Sequence, residues 1–388
     1  MQIYTENKTG KILGLNALRF LGALSVIFLH LGSMNWFEAR GLSEYHPLFS
    51  GKTGVYLFYV ISGFLITALA VDEIRKTERF DFKKFFARRA LRLFPLYYLA
   101  IACIGLLHIL GLTSVDPISW IYALTYSYNF VPLDAYNGLL GSFHTLGTEE
   151  QFYMAYGLLL CLIFSGIAPQ RYLPAKYISL AVILIMCVTA NQTLRPYFAN
   201  FEVTHFVRRW SFFAMDPIGI GCLAALFYKS KWVESFVKTV KNRETILVAT
   251  HLSLCAIFLW AYIGYAFHGS VTLLSIGFSC LLLDLSLFRQ TLTARVLENR
   301  VFAYLGTISY GLYVWQAVIN GTGSNARWIE SPYISTALVF IVSVVSYELY
   351  EKRFLELKKN YRPERTEPSE KGLPSLTQPQ PKPVSTAI

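Results

Sequence analysis

Most of the chain reads as long apolar stretches separated by short polar ones. Runs of spanning length begin near residues 13, 53, 93, 150, 176, 211, 245, 270, 301 and 333, each matching the roughly 20 residues a helix needs to cross a hydrocarbon core. A shorter aromatic stretch, "ISWIYALTYSYNFV" at 118–131, is interrupted by polar residues. The pattern predicts an all-α integral membrane protein of about ten transmembrane helices plus one short interfacial or re-entrant segment. Residues 1–11 form a polar cytoplasmic lead, 12–357 a single membrane domain, and 358–388 a tail rich in Pro, Ser, Glu and Lys that has little to bury and is expected to be disordered and cytoplasmic. The first run lacks a small-residue cleavage site, so it reads as retained.

Composition sharpens the class. Of the 388 residues, 54% are hydrophobic and 15% charged, and mean hydropathy is +0.42, outside the range of soluble domains. The net charge of +11 does not point to nucleic acid, because the basic residues gather in loops as the positive-inside rule expects. If 118–131 does not cross the membrane, the loops at 229–243 and 289–300 and the tail all fall on the cytoplasmic side with the N-terminus. A full crossing would instead place "YKSKWVESFVKTVKNRE" outside. The six cysteines are scattered over the apolar segments with no CxxC spacing, which favours core filling over a metal site or a disulfide framework.

Charged groups inside such runs are costly and therefore informative. In "NALRFLGALSVIFLH", Arg19 and His30 are eleven residues apart, within roughly 20° of one helix face and about 16 Å apart along the axis. Either they line a polar pathway, or Arg19 snorkels and His30 sits among headgroups. The loop "VDEIRKTERFDFKKFFARRALRLFPLYYL" ends in Arg88, Arg89 and Arg92, whose guanidiniums could converge on a phosphate or hold lipid headgroups. "GSFHTLGTEEQFYMAYGLLL" offers His144, Glu149, Glu150 and Gln151 at the mouth of a span, more polar groups than helix-dipole complementarity requires. Arg209 and Asp216, two turns apart, read first as a structural ion pair, and Gly219 and Gly221 as sites of close helix approach. "ISYGLYVWQAVI" adds Tyr310, Tyr313 and Gln316, with interfacial anchoring as the default role of its aromatics.

In order and spacing these pieces resemble the membrane acyltransferase type-three family, which O-acylates surface polysaccharides. The resemblance runs from about Leu15 to Phe354. It is carried by Arg19 with His30, "GVYLFYVISGFLIT", "ARRALRLFPLYY", "TLGTEEQFYM", Asp216 with its glycines, and "SYGLYVW". His144 stands where the family often has Trp, Gln316 where it often has His, and Lys352-Arg353 where a Pro commonly follows the glutamate; the appended hydrolase-like domain of some members is not expected.

The resemblance implies an enzyme of the plasma (bacterial inner) membrane that moves an acyl group, acetyl foremost, from cytoplasmic acyl-CoA to a hydroxyl of a cell-surface or exported carbohydrate. In that reading His30 is the base, Arg19 holds the thioester or pantetheine and stabilises the oxyanion, and Arg88, Arg89 and Arg92 grip the CoA phosphates. Glu149 orients His30 or binds acceptor, with His144, Glu150, Asp216, Tyr310 and Tyr313 in support. Acyl-CoA is a substrate, and no permanently bound cofactor or metal is expected. Partners would be acyl-CoA, a carbohydrate or lipid-linked glycan, and membrane lipids. The rival readings are a multi-span transporter or flippase and a catalytically inactive sensor of lipid or CoA.

Overall fold

A computed structural model describes residues 12, 14–30, 51–164, 172–194, 197–198, 209–233, 235, 270–287, 296–320 and 331–361. All regular elements among them are helical: α1 Leu15–His30, α2 Gly51–Thr77, α3 Phe82–Ile109, α4 Pro117–Leu124, α5 Phe143–Phe164, α6 Leu173–Leu194, α7 Ser211–Tyr228, α8 Ser270–Leu287, α9 Arg300–Thr307, α10 Ser309–Asn320, α11 Pro332–Ser346 and α12 Lys352–Leu357. A π-turn at Tyr347–Glu351 joins α11 to α12, and a 3-10 turn at Lys358–Tyr361 follows. Four stretches are long and apolar enough to cross a membrane, namely Gly51–Thr77, Phe82–Ile109, Leu173–Leu194 and Tyr333–Tyr361. Leu15–His30, Met215–Tyr228 and Val271–Leu287 are shorter apolar helices. The described residues are therefore those of an all-helical integral membrane protein. The apolar run near 245 lies outside the described residues.

Three details differ from the hydrophobic pattern. First, α3 begins eleven residues before its apolar run, because Asp81 caps it by accepting from the Lys84 backbone N–H at 2.9 Å, which puts Arg88, Arg89 and Arg92 on a helix. Second, the run near 301 is two helices, α9 and α10, separated at Ile308. Third, helical structure continues past residue 357 to Tyr361, and this turn packs on α3; residues 362–388 lie outside the described residues.

The 118–131 stretch forms α4, which at eight residues spans only about 12 Å. Its loop returns to the bundle. Tyr126 adopts a left-handed φ of 57°, stacks on Tyr97 with ring centroids 3.8 Å apart, and receives the Gln151 side chain on its carbonyl at 2.8 Å. A side chain on Gly147 would meet that carbonyl at 2.7 Å, so glycine is what lets the loop seat against α5.

The most extensive helix pair is α2 with α7. A Cβ at Gly221 would fall on the Val60 carbonyl, and one at Gly63 on the Ile218 carbonyl; the close approach foreseen at Gly221 is made with α2. α1 packs on α2, α9 and α10. Two groups of helix ends result. Lys229 Nζ pairs with Asp72 at 2.7 Å and Arg88 reaches Tyr361, gathering the ends near residues 72–88, 229 and 361. Leu29 abuts Gly51, and Asn137 bonds the Ser114 carbonyl at 2.8 Å, at the opposite ends of their helices. This is the alternation that up-and-down threading requires.

Candidate active site

α1, α2, α3, α5 and α10 enclose a cavity with about 630 Å³ of empty space, its open mouth included. α1 contributes Arg19, α3 contributes Arg89 and Arg92, and α5 contributes Glu149 and Tyr153; the spacings of three and four residues aim each pair to one helix face. Ser62 of α2 and Tyr310 and Tyr313 of α10 complete the polar wall. Ser62 Oγ donates to Glu149 Oε1 at 2.7 Å, the Arg89 guanidinium lies 4.9 Å from the Tyr153 ring centroid, and Tyr310 donates to the Leu93 carbonyl at 2.8 Å. Val55, Phe58 and Ile61 supply apolar wall. Three guanidiniums on an apolar lining suit a ligand with anionic groups at one end and a neutral chain at the other. Their low-dielectric setting strengthens each contact.

Arg88 does not join them. Its Nη2 donates to Glu73 Oε2 at 2.8 Å and its Nη1 to the Tyr361 carbonyl at 2.8 Å. The buried Glu73 draws the guanidinium toward the end of α2, so the triplet expected to act together divides into two inward groups and one outward.

His30 closes α1 at the far end from Arg19 and is not part of the cavity wall. The imidazole within its electrostatic reach is His144, which also feels Arg209 and bonds the Gly141 carbonyl through Nδ1. Glu149, five residues further along α5, sits in the cavity with the arginines. Glu150 is buried, and neither of its carboxylate oxygens has a hydrogen-bond partner among the described residues.

Arg209 and Asp216 each have other partners: the guanidinium lies 4.5 Å from the Tyr136 ring centroid, and Asp216 Oδ2 accepts from Gln192 Nε2, which also donates to Thr272 Oγ1 at 2.8 Å. Asp216 thus ties α7 to α6 and, through Gln192, to α8.

A chain of polar groups joins α5 and α10, linking two stretches that the sequence singled out separately and did not pair. Tyr313 bonds Thr145, Thr145 donates to the Ser142 carbonyl at 2.8 Å, and Gln316 Nε2 donates to Ser142 Oγ at 2.8 Å. Gln316 is fully buried, and its Oε1 has no hydrogen-bond partner among the described residues.

Residues 12–348 match the family model described as an acyltransferase domain, of the type-three class. The chain belongs to that family. It is 26% identical over 363 residues to YrhL of Bacillus subtilis, whose name provisionally assigns peptidoglycan O-acetyl transfer, covering 87% of this chain and 54% of that protein. It is 23% identical over 392 residues to the O-acetyltransferase OatA of Staphylococcus aureus, covering 92% and 59%. The peptidoglycan O-acetyltransferase OatA of Listeria monocytogenes is 22% identical over 370 residues, covering 89% and 56%. The chain thus spans about half the length of the curated relatives it matches. No solved structure matches it.

Proposed function

We propose that this chain is a transmembrane O-acyltransferase that takes an acyl group, acetyl foremost, from cytoplasmic acyl-CoA and delivers it to a hydroxyl of a cell-surface or exported carbohydrate, a peptidoglycan sugar being the first candidate. The observation that carries the reading is the joint presence of Arg19, Arg89 and Arg92 on one cavity, with His30 eleven residues further along the helix that holds Arg19.

The donor's phosphates meet the guanidiniums at the cytoplasmic end, and the flexible pantetheine arm runs along α1 toward His30. Near the outer face, His30 takes the proton of the acceptor hydroxyl. The oxygen attacks the thioester carbonyl, the C–O bond forms, the C–S bond breaks, and the departing thiolate receives the proton from the imidazolium. Glu149, held by Ser62, shares the cavity wall with the arginines and tempers their positive field. The same balance holds if the acyl group first rests on a side chain.

Names of relatives support the class of acceptor, and the positive-inside argument supports the sides. The decisive measurement uses the purified full chain in proteoliposomes with radiolabelled acetyl-CoA and a peptidoglycan-fragment acceptor. Thioester consumption coupled to labelled ester, lost in His30→Ala, is expected. Movement of solute without thioester consumption would make the chain a transporter. Sidedness is checked with single cysteines at Asn137 and Ser235 in a cysteine-free background: an impermeant thiol reagent on intact cells labels 137 and spares 235, and the opposite pattern overturns the assigned direction.

A further inference from the structure

The turn at Lys358–Tyr361 opens a segment whose composition reads as disordered tail, yet it packs on α3. Arg88 fastens it there: one side of its guanidinium is held by Glu73 and the other by the Tyr361 carbonyl, both at 2.8 Å. The turn begins with Lys358, which is half-buried and, though not part of the cavity wall, sits in a turn packed on the helix that carries Arg88, Arg89 and Arg92; the cations acting on it are Arg92, Arg89, Arg19 and Arg88. Three of these line the cavity.

Like charges held together away from water repel strongly. Glu149 and Glu351 face the arginines, but each accepts a serine hydroxyl, from Ser62 and Ser346 respectively. Ion pairs among the described residues include Arg88–Glu73, Lys229–Asp72 and Lys352–Glu348. Among the described residues, no acid lies within ion-pair distance of Arg19, Arg89, Arg92 or Lys358. A multiply charged anion is the group that would turn this mutual repulsion into attraction, and phosphate suits a mixed set of guanidinium and ammonium donors.

We infer that Lys358, carried on a C-terminal turn latched by Arg88 and Glu73, is a further phosphate-binding residue at the cytoplasmic mouth of the cavity. The inference rests on the donor reading above and adds a residue from the far end of the chain to it. The phosphate comes from CoA in this proposal, with an anionic lipid headgroup as the competing source.

Calorimetric titration of CoA into the detergent-solubilised full chain tests it. Lys358→Ala is expected to weaken CoA binding about tenfold, as loss of one charge-assisted contact does, and to flatten its salt dependence. Lys358→Arg should restore most of the affinity, whereas Lys359→Ala, an exposed neighbour, should match wild type. Unchanged thermal unfolding of ligand-free Lys358→Ala separates binding from folding; if that variant is unstable, Lys358→Gln replaces it in the same titration.

Affinity for CoA unchanged in the neutral variants overturns the inference while leaving the donor reading intact. Loss of co-purifying phosphatidylglycerol with CoA affinity unchanged assigns the lysine to lipid and also overturns it. A wild-type chain that binds no CoA overturns the donor reading itself.

Discussion

The two ends of α1 differ in kind. At the Arg19 end, guanidiniums from two helices, a carboxylate and four tyrosines share one cavity, and the wall is fixed by short contacts such as Ser62 to Glu149 at 2.7 Å. At the His30 end, His144 lies within electrostatic reach and is anchored to the Gly141 carbonyl, and the adjacent Ser142 accepts from a buried Gln316 whose oxygen lacks a hydrogen-bond partner among the described residues. The first end is built to hold charge, and the second has proton carriers and an acceptor atom to offer. A rigid helix of sixteen residues keeps the poles about 16 Å apart, so a substrate that engages both must be long, charged at one end and reactive at the other.

The hardest test of that division is His30→Ala. Removing a general base costs about 10²–10⁴ in turnover, and CoA affinity should stay at the wild-type value because the cation end is intact. Weakened CoA binding in this variant would merge the two poles into one site. Arg19→Ala is expected to lose about 10²–10³ in turnover if its charge also stabilises the oxyanion. Arg19→Lys should recover binding more than rate, since it keeps charge but not the fork; single-turnover kinetics separates the two.

Arg89→Ala and Arg92→Ala should act mainly on binding, each raising the donor Kd about tenfold through a lost charge-assisted contact. An unaltered Kd in both would leave the cavity without a phosphate role. Glu149→Gln sharpens the comparison further. Its carboxylate sits among the arginines, so the expected effect is a severalfold change in donor KM with the shape of the pH–rate profile preserved. A shifted profile would mean that Glu149 acts through His30.

How much of this could be read from the chain depended on the range of the interaction involved. Helix positions followed from apolar run length, a local property, and the length and polar interruptions of the 118–131 stretch favoured a non-spanning segment, in keeping with the eight-residue α4. Arg19 and His30 stood out because a charge in hydrocarbon is rarely idle. Direction, by contrast, depends on a partner elsewhere in the chain. Nothing local separates Arg88 from Arg89, and the choice is made by Glu73, fifteen residues earlier on another helix. Likewise the partners of Arg209 and Asp216 at Tyr136 and Gln192 come from other elements and carry no local signal, and Lys358 was hidden because tail composition is averaged over thirty residues while its first turn is held by one guanidinium.

The smallest expected effect is that of Arg88→Ala, and it bears on how the cation end is assembled. Its partner Glu73 has a side chain only 3% exposed, while Arg88 is 17% exposed, so the pair lies at the edge of the bundle. Deleting the arginine strands a carboxylate that has little water to turn to, with the Asp81 backbone N–H still donating to it at 3.0 Å. A loss of about 1–2 kcal/mol in stability is expected, less than for a fully buried pair because solvent screens part of the interaction. Transfer should fall only two- to threefold, roughly the size of one weakened contact, through loosening of the Lys358–Tyr361 turn. Glu73→Gln, which keeps a hydrogen-bond acceptor and removes the charge, should return most of the stability when combined with Arg88→Ala. Thermal unfolding read beside CoA titration separates the roles: Arg88→Ala moves stability more than affinity, and Arg89→Ala moves affinity more than stability. If Arg88→Ala instead lowers CoA affinity as far as Arg89→Ala does, Arg88 belongs to the phosphate set, and the cation end has no separate latch.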